Sequence, residues 1–294
     1  MADLALTLIM AVWGSSFAIL RGLFTGNQAS PLAIIAVRMA LASTLLGAYL
    51  FATPGGRAQL KSIKGSLLKD GVFCGALLGI GFLLQTEGLS RTTASRSGFL
   101  TGMLVVLVPI LEFLLFRKKP KSPALAGILL AFAGMTALSA PWADSSRGTF
   151  LGDSLTAACA LVFAGHIIAL GRVAAKHPLL PLLLLQLATT AVLAAAVGPL
   201  IEPQHLESAP NLILAVVYLA LFATLLAFGI QTWAQKVMPS VRVALISSLE
   251  PVFAALWAAL LLNERLSGRE LLGGGLIVLG VAVGEAGAAI WKTA

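Results

Sequence analysis

The stretch FLLQTEGLSRTTASR, Phe82 to Arg96, returns without a gap as FGIQTWAQKVMPSVR, Phe228 to Arg242. An offset of 146 superimposes Phe82 on Phe228, Gln85 on Gln231, Thr86 on Thr232 and Arg96 on Arg242. The same offset runs on through Val106/Val252, Leu114/Leu260, Leu115/Leu261, Leu125/Leu271, Gly127/Gly273, Leu130/Leu276 and Gly134/Gly280, eleven identities in all. Leu and Gly coincide cheaply in apolar sequence; the ungapped Phe-x-x-Gln-Thr and the arginine do not. The offset is about half of the 294 residues, so the chain reads as two copies, residues 1–146 and 147–294.

Composition sets the medium in which those copies fold. Hydrophobic residues make up 59% of the chain and charged residues only 11%, against about 25% charged in soluble domains. Breaks rich in Gly, Pro and charge divide the apolar sequence into ten stretches of membrane-spanning length: 4–24, 31–53, 67–90, 95–116, 123–141, 149–171, 179–200, 210–235, 240–262 and 270–290. Five spans per copy is an odd number, so the second copy must enter the membrane from the opposite side. The expected fold is an all-α membrane protein with ten transmembrane helices in a 5+5 inverted repeat. Such a repeat places a substrate site near the midplane between the halves and provides two related conformations, one open to each side.

Loops on the side of both termini carry thirteen Lys and Arg and the opposite loops six, which by the positive-inside rule puts both termini in the cytoplasm of a bacterial inner (plasma) membrane. The formal charge of +8 reads as these topogenic loops, since no basic cluster interleaves with aromatics, and nucleic acid is not expected as a partner. Cys74 and Cys159 fall inside spans and read as small packing residues. The start lacks a basic segment and a small-residue cleavage site and reads as a retained first span. The histidines His166, His177 and His205 cannot converge on one metal. No nucleophile elbow, phosphate loop or dinucleotide fingerprint occurs. Neither a metal, a cofactor nor a catalytic site is expected, and Gly-x-x-x-Gly runs such as Gly71 to Gly79 and Gly280 to Gly284 read as helix-packing devices.

Few polar groups lie within the spans, and ionisable ones there must face protein or water. Glu250 stands near the middle of the ninth span beside Pro251, which lacks an N–H and clashes with a carbonyl four residues earlier. The pair marks a kink or hinge at a cavity wall, or else a buried carboxylate held for packing alone. The first copy lacks that pair and has Pro109 about one turn later. Arg38 is the only mid-span cation and reads as a structural ion pair or a substrate or gating group. A histidine in water changes charge near neutral pH, and His166 reads as a core residue or a proton acceptor. Glu250, His166 and Arg38 are the candidates for coupling or gating, with protons as the candidate coupling ion. Gln85 and Gln231, at matched positions, are candidates for a symmetric gate.

The segments WGSSFAILRG in the first span, SLEPVFAALWAALLLNERLSG across the ninth, and LLGGGLIVLGV after it resemble the EamA family of the drug/metabolite transporter superfamily. The spacing from Pro251 to Glu264-Arg265-Leu266 is the most specific part; the first copy departs from it with Lys118-Lys119-Pro120. The resemblance implies ten helices in an inverted repeat and export of small metabolites by alternating access. It is closest to the YddG-like exporters of aromatic and other apolar amino acids. Carried onto this chain, the family's cavity would be lined by Trp13, Ser16, Phe17, Phe82, Gln85, Phe99, Met103, Phe163, His166, Phe228, Gln231, Ser247 and Glu250, a mostly apolar wall suited to an amino acid. The expected protein is a monomer working in membrane lipid on a small-molecule substrate. A multidrug or nucleotide-sugar carrier of the same superfamily is the alternative within transport; an intramembrane lipid-processing enzyme or a scaffold subunit is the alternative outside it.

Overall fold

Glycine and proline are the residues a helix interior tolerates least, and in the computed structural model they sit at or beside most of the helix starts. It describes residues 1–92, 94–139, 150–207, 209–262 and 266–290; the expected division at 146/147 and the Glu264-Arg265 pair lie outside them. The first half contains α1 (Ala2–Thr25), α2 (Pro31–Ala52), a short α3 (Pro54–Lys61), α4 (Gly65–Arg91), α5 (Ala94–Gly102), α6 (Leu104–Phe116) and α7 (Ser122–Ser139). The second contains α8 (Phe150–Val173), α9 (Leu179–Ile201), α10 (Pro210–Ala220), a π-helical stretch Leu221–Leu226, α11 (Ala227–Ala234), α12 (Ser240–Ser247), α13 (Glu250–Leu262) and α14 (Gly268–Ile290). These helices fall on all ten expected stretches, with α5–α6, α10–α11 and α12–α13 each forming one interrupted rod. Among the described residues, eight stretches are long and apolar enough to cross a membrane, and Ala2–Ser16 is a shorter apolar helix. The protein is an all-helical, multi-pass membrane protein.

Packing partners obey an exchange rule. Let α1 correspond to α8, α2 to α9, α4 to α10–α11, α5–α6 to α12–α13, and α7 to α14. The rods α7 and α14 then pack on each other, as do α2 and α9. The contact of α1 with α13 exchanges with that of α8 with α5 and α6, and α4 with α8 exchanges with α11 with α1.

The α7–α14 seam shows why. A Cβ added to Gly127 would fall on the carbonyl oxygen of Gly280, and one on Gly280 on that of Gly127; Gly134 and Gly273 do the same to each other. All four distances would be no more than 2.7 Å. The glycines matched along the sequence thus meet crosswise in space, and only an absent side chain lets the two backbones come this close. The Gly71, Gly75 and Gly79 stripe of α4 serves the same end against Leu185, Gln186, Thr189 and Leu193 of α9.

Two of the rods break at matched places. The ninth stops at Ser247 and restarts at Glu250 through a tight turn in which Ser248 and Leu249 donate to Leu245 and Ile246. Pro251 therefore sits in the first turn of α13, where a helix has no use for its missing N–H, and the clash expected within a continuous helix is avoided. The fourth rod breaks at Met103, 146 residues before Leu249. Pro109 is not that hinge: α6 runs on through it, and the break follows Gly102 instead. The interruption belongs to both halves, and only the Glu250-Pro251 pair is one-sided.

Candidate functional site

Four aromatic side chains meet at the centre of the bundle, one from each of four rods. The Trp13 and Phe228 ring centroids are 5.2 Å apart, those of Phe82 and Phe163 5.4 Å, and those of Phe82 and Phe228 6.0 Å. An offset of 150 pairs Trp13 with Phe163, and 146 pairs Phe82 with Phe228. The exchange rule therefore maps the first contact onto the second and the third onto itself. Trp13 also packs against three of the apolar cores. Its indole N–H donates to the carbonyl of Ala223 at 2.8 Å, inside the π-helical stretch. A π-turn leaves carbonyls displaced from the regular ladder and is frequent at functional sites.

Arg38 reaches this cluster from α2. Its guanidinium lies 4.7 Å from the centroid of Phe82, and the residue is only 5% exposed. Among the described residues it makes no ion pair, and its buried Nε has no hydrogen-bond partner. The structural ion pair considered from sequence is absent among those residues. An offset of 148 sets the buried Ile35, Met39 and Leu46 of α2 over the buried Leu183, Leu187 and Ala194 of α9, and at that offset the counterpart of Arg38 is Gln186. Gln186 is fully engaged: Oε1 stands 3.0 Å from His166 Nε2, and Nε2 donates to the Leu182 carbonyl and to Thr232 Oγ1, both at 3.4 Å. A cation at mid-helix in a membrane costs about 2.5–3.5 kcal/mol on insertion scales, and stacking on one ring returns about 2 kcal/mol when desolvated. At an equivalent depth, one half has a satisfied amide and the other an unsatisfied guanidinium.

Ion pairs hold the rods at both ends of the bundle. At the end away from the N-terminus, Arg96 of α5 pairs with Asp153 of α8, and Thr92 Oγ1 donates to the same carboxylate at 2.6 Å. At the N-terminal end, Arg242 of α12 lies 2.8 Å from Asp3 of α1 and donates to Glu285 of α14. Arg96 and Arg242 are the matched arginines of the repeat; Asp3 and Asp153 are matched at the offset of 150. One pair exchanges onto the other at the opposite end. The two aspartates are functional candidates that the sequence reading passed over, although that offset, visible in Val12/Val162 and Trp13/Phe163, would have found them.

The other expected residues are distributed as follows. Glu250 is half-buried at the first position of α13, where the helix N-terminus favours a carboxylate, and it makes no hydrogen bond or ion pair among the described residues. Gln231 is buried with Oε1 unpartnered, as is Thr224 Oγ1 one turn before Phe228. Ser16 and Ser247 donate within their own helices, to the carbonyls of Trp13 and Val243. His166 is buried, with Nε2 3.0 Å from Gln186 Oε1. Phe99 turns to Phe132 of α7, 6.1 Å between centroids, and stands apart from the four-ring cluster. Met103 marks the break in the fourth rod, and Gln85 is half-buried beyond Phe82. The side chain of Phe17 lies outside the described residues.

At the centre, where the sequence reading placed a cavity, Phe82 meets Phe163 and Phe228 edge to face, and Trp13, Phe82 and Phe163 keep partial exposure. Concave space is found elsewhere: about 610 Å³ in an apolar groove on the flank among Leu45, Tyr49, Leu183, Leu225 and Trp233, and about 320 Å³ at the rim by Ser30, Glu202 and His205. At that rim Glu202 accepts from the Leu32 N–H at the start of α2, and the loop after α1 pairs through Ala29 with Leu206.

Comparison with known proteins agrees with this architecture. The model of the EamA-like transporter family matches residues 1–140 and again 150–283. An uncharacterized transporter of Archaeoglobus fulgidus is 32% identical over 96% of this chain and 85% of its own. Probable amino-acid metabolite efflux pumps of Escherichia coli and Salmonella typhimurium are 28% and 27% identical, over 94% and 98% of this chain and 92% and 95% of theirs. A crystal structure 20% identical in sequence superposes with a TM-score of 0.79 over 96% of both chains, a likeness of fold. With two matches that together take in nearly the whole sequence, the chain belongs to the EamA-like transporter family.

Proposed function

We propose that the protein exports amino acids, aromatic and apolar ones foremost, and similar small metabolites from the cytoplasm by alternating access between two inverted halves, 1–146 and 147–294. The observation that carries this reading is the exchange of the Arg96–Asp153 pair at one end of the bundle with the Arg242–Asp3 pair at the other. Matched latches at opposite ends are what a transporter needs if its two access states are one geometry reached from either side. The aromatic centre supplies a surface for an apolar side chain, and the efflux pumps at 27–28% identity are named for amino-acid metabolites. The thirteen-to-six charge bias supports cytoplasmic termini, and the protein works as a monomer. Reconstituted protein should move labelled Phe or Leu across liposome membranes; absence of flux for every amino acid tested overturns the reading.

Glu250 is the proposed coupling group, because it stands half-buried at the break of the ninth rod with no partner among the described residues. Glu250→Gln should reduce Phe flux about tenfold or more and abolish its response to an imposed pH gradient, with an unchanged elution profile. Flux and pH response equal to wild type would eliminate proton coupling through this residue and leave exchange or downhill transport.

A further inference from the structure

We propose that Arg38 is the anchor for the carboxylate of the transported molecule, so that the central site selects carboxylate-bearing substrates with an apolar side chain. This deepens the export reading above and rests on it for the word transported.

The geometry is specific. Arg38 is a permanent cation 5% exposed, and among the described residues it has neither an acidic partner nor a hydrogen-bond acceptor. A guanidinium presents a planar fork that a carboxylate fits through two parallel hydrogen bonds, and a buried, unpaired donor is costly until such an acceptor arrives. Its Cζ lies over the Phe82 ring, 4.7 Å from the centroid, a contact that uses none of its N–H donors. Stacking orients the group and does not satisfy its donors.

Gln186 sharpens the contrast. It occupies the corresponding position of the other half and spends its donors and acceptor on protein. Were Arg38 there only to brace helices, the same kind of partners would be expected around it. The centre also offers two buried acceptors with no donor among the described residues, Thr224 Oγ1 and Gln231 Oε1, one turn either side of Phe228. An unmet donor on α2 and unmet acceptors on the π-helical stretch and α11 match the two ends of a zwitterion, with the apolar side chain left to the rings.

The test separates binding from transport. Purified protein in detergent is titrated with phenylalanine, phenylpropionate, phenylalanine amide and phenethylamine, and ligand-induced thermal stabilisation gives apparent affinities. Wild type should prefer the two carboxylates over the amide and the amine by about tenfold or more. Arg38→Gln should erase that preference while leaving the amide and amine at their wild-type affinities, and Arg38→Lys should restore part of it. Equal affinity for acid and amide in wild type overturns the proposal without any variant, as does binding of none of the four. Retained acid preference in Arg38→Gln overturns it as well. Should that variant fail to fold, the wild-type ratio and Arg38→Lys decide. Arg38-dependent binding of phenylpropionate by a protein that moves no amino acid in liposomes keeps the anchor and removes the export reading. Amino-acid flux without carboxylate preference does the reverse.

Discussion

Leucine at Gly134 should lower the thermal transition of the detergent-purified protein by roughly 6–12 °C, and leucine at Gly280 should do the same. Overpacking costs about 1–3 kcal/mol, and about 3 is expected here because the obstruction is backbone. A Cβ at Gly134 would meet the Gly273 carbonyl, and one at Gly280 the Gly127 carbonyl. Neither can rotate away as a side chain would, so α7 and α14 must part. At about 2–4 °C per kcal/mol for a chain of this order, the shift follows. The double variant should cost less than the sum, because once the helices separate the second leucine meets little. Gly275→Ala on the same helix meets no atom within 4 Å and should leave the transition unchanged or raise it, since alanine suits a helix better than glycine by about 1 kcal/mol. Equal small effects at Gly134, Gly280 and Gly275 would refute the crosswise seam.

That seam also shows how far sequence reaches in such a protein. Gly127/Gly273 and Gly134/Gly280 are visible as matches along the chain, but that they pack diagonally follows only from the three-dimensional exchange of halves. The helical stretches were legible because water is absent from the bilayer interior and apolar runs must satisfy their backbone within themselves. Proline is an uneven guide to the breaks. Pro251 starts a helix and Pro109 is absorbed in one, while the break at Met103 carries no mark except the preceding Gly102. The π-helical stretch Leu221–Leu226 leaves no trace in a run that is apolar but for Thr224. The central residues were half legible. Trp13, Phe82, Phe163 and Phe228 stand in one cluster of rings, whereas Phe99 belongs to a neighbouring contact. Asp3 and Asp153 were missed because the register between the halves slips by four residues from the first rods to the third. A single offset hides them. Ion pairing across forty or more residues has no local signature at all.

Removal of Arg96 and removal of Arg242 should shift access to the centre in opposite directions. Each arginine ties a broken rod to the matched first rod of the other half, α5 to α8 and α12 to α1, so each latch stabilises closure of one end only. A partly exposed ion pair is worth about 1 kcal/mol, which is about a fivefold change in the ratio of two access states. The reporter is Ser16→Cys, a buried site on α1 one turn beyond Trp13, in a background with Cys74 and Cys159 replaced. With a membrane-impermeant thiol reagent outside intact cells, Arg96→Ala should label about five times faster than the parent and Arg242→Ala more slowly. In inverted vesicles the order should reverse. Exchanging the charges, Arg96→Asp with Asp153→Arg, should bring labelling back toward the parent, because attraction across α5 and α8 is restored. If the two alanine variants accelerate labelling together from the same side, the pairs are bracing contacts, and the matched arginines are a relic of the repeat with no part in gating. Opposite shifts of similar size require that the two ends compete for one closed geometry, which is how two halves of a single chain can act as each other's gate.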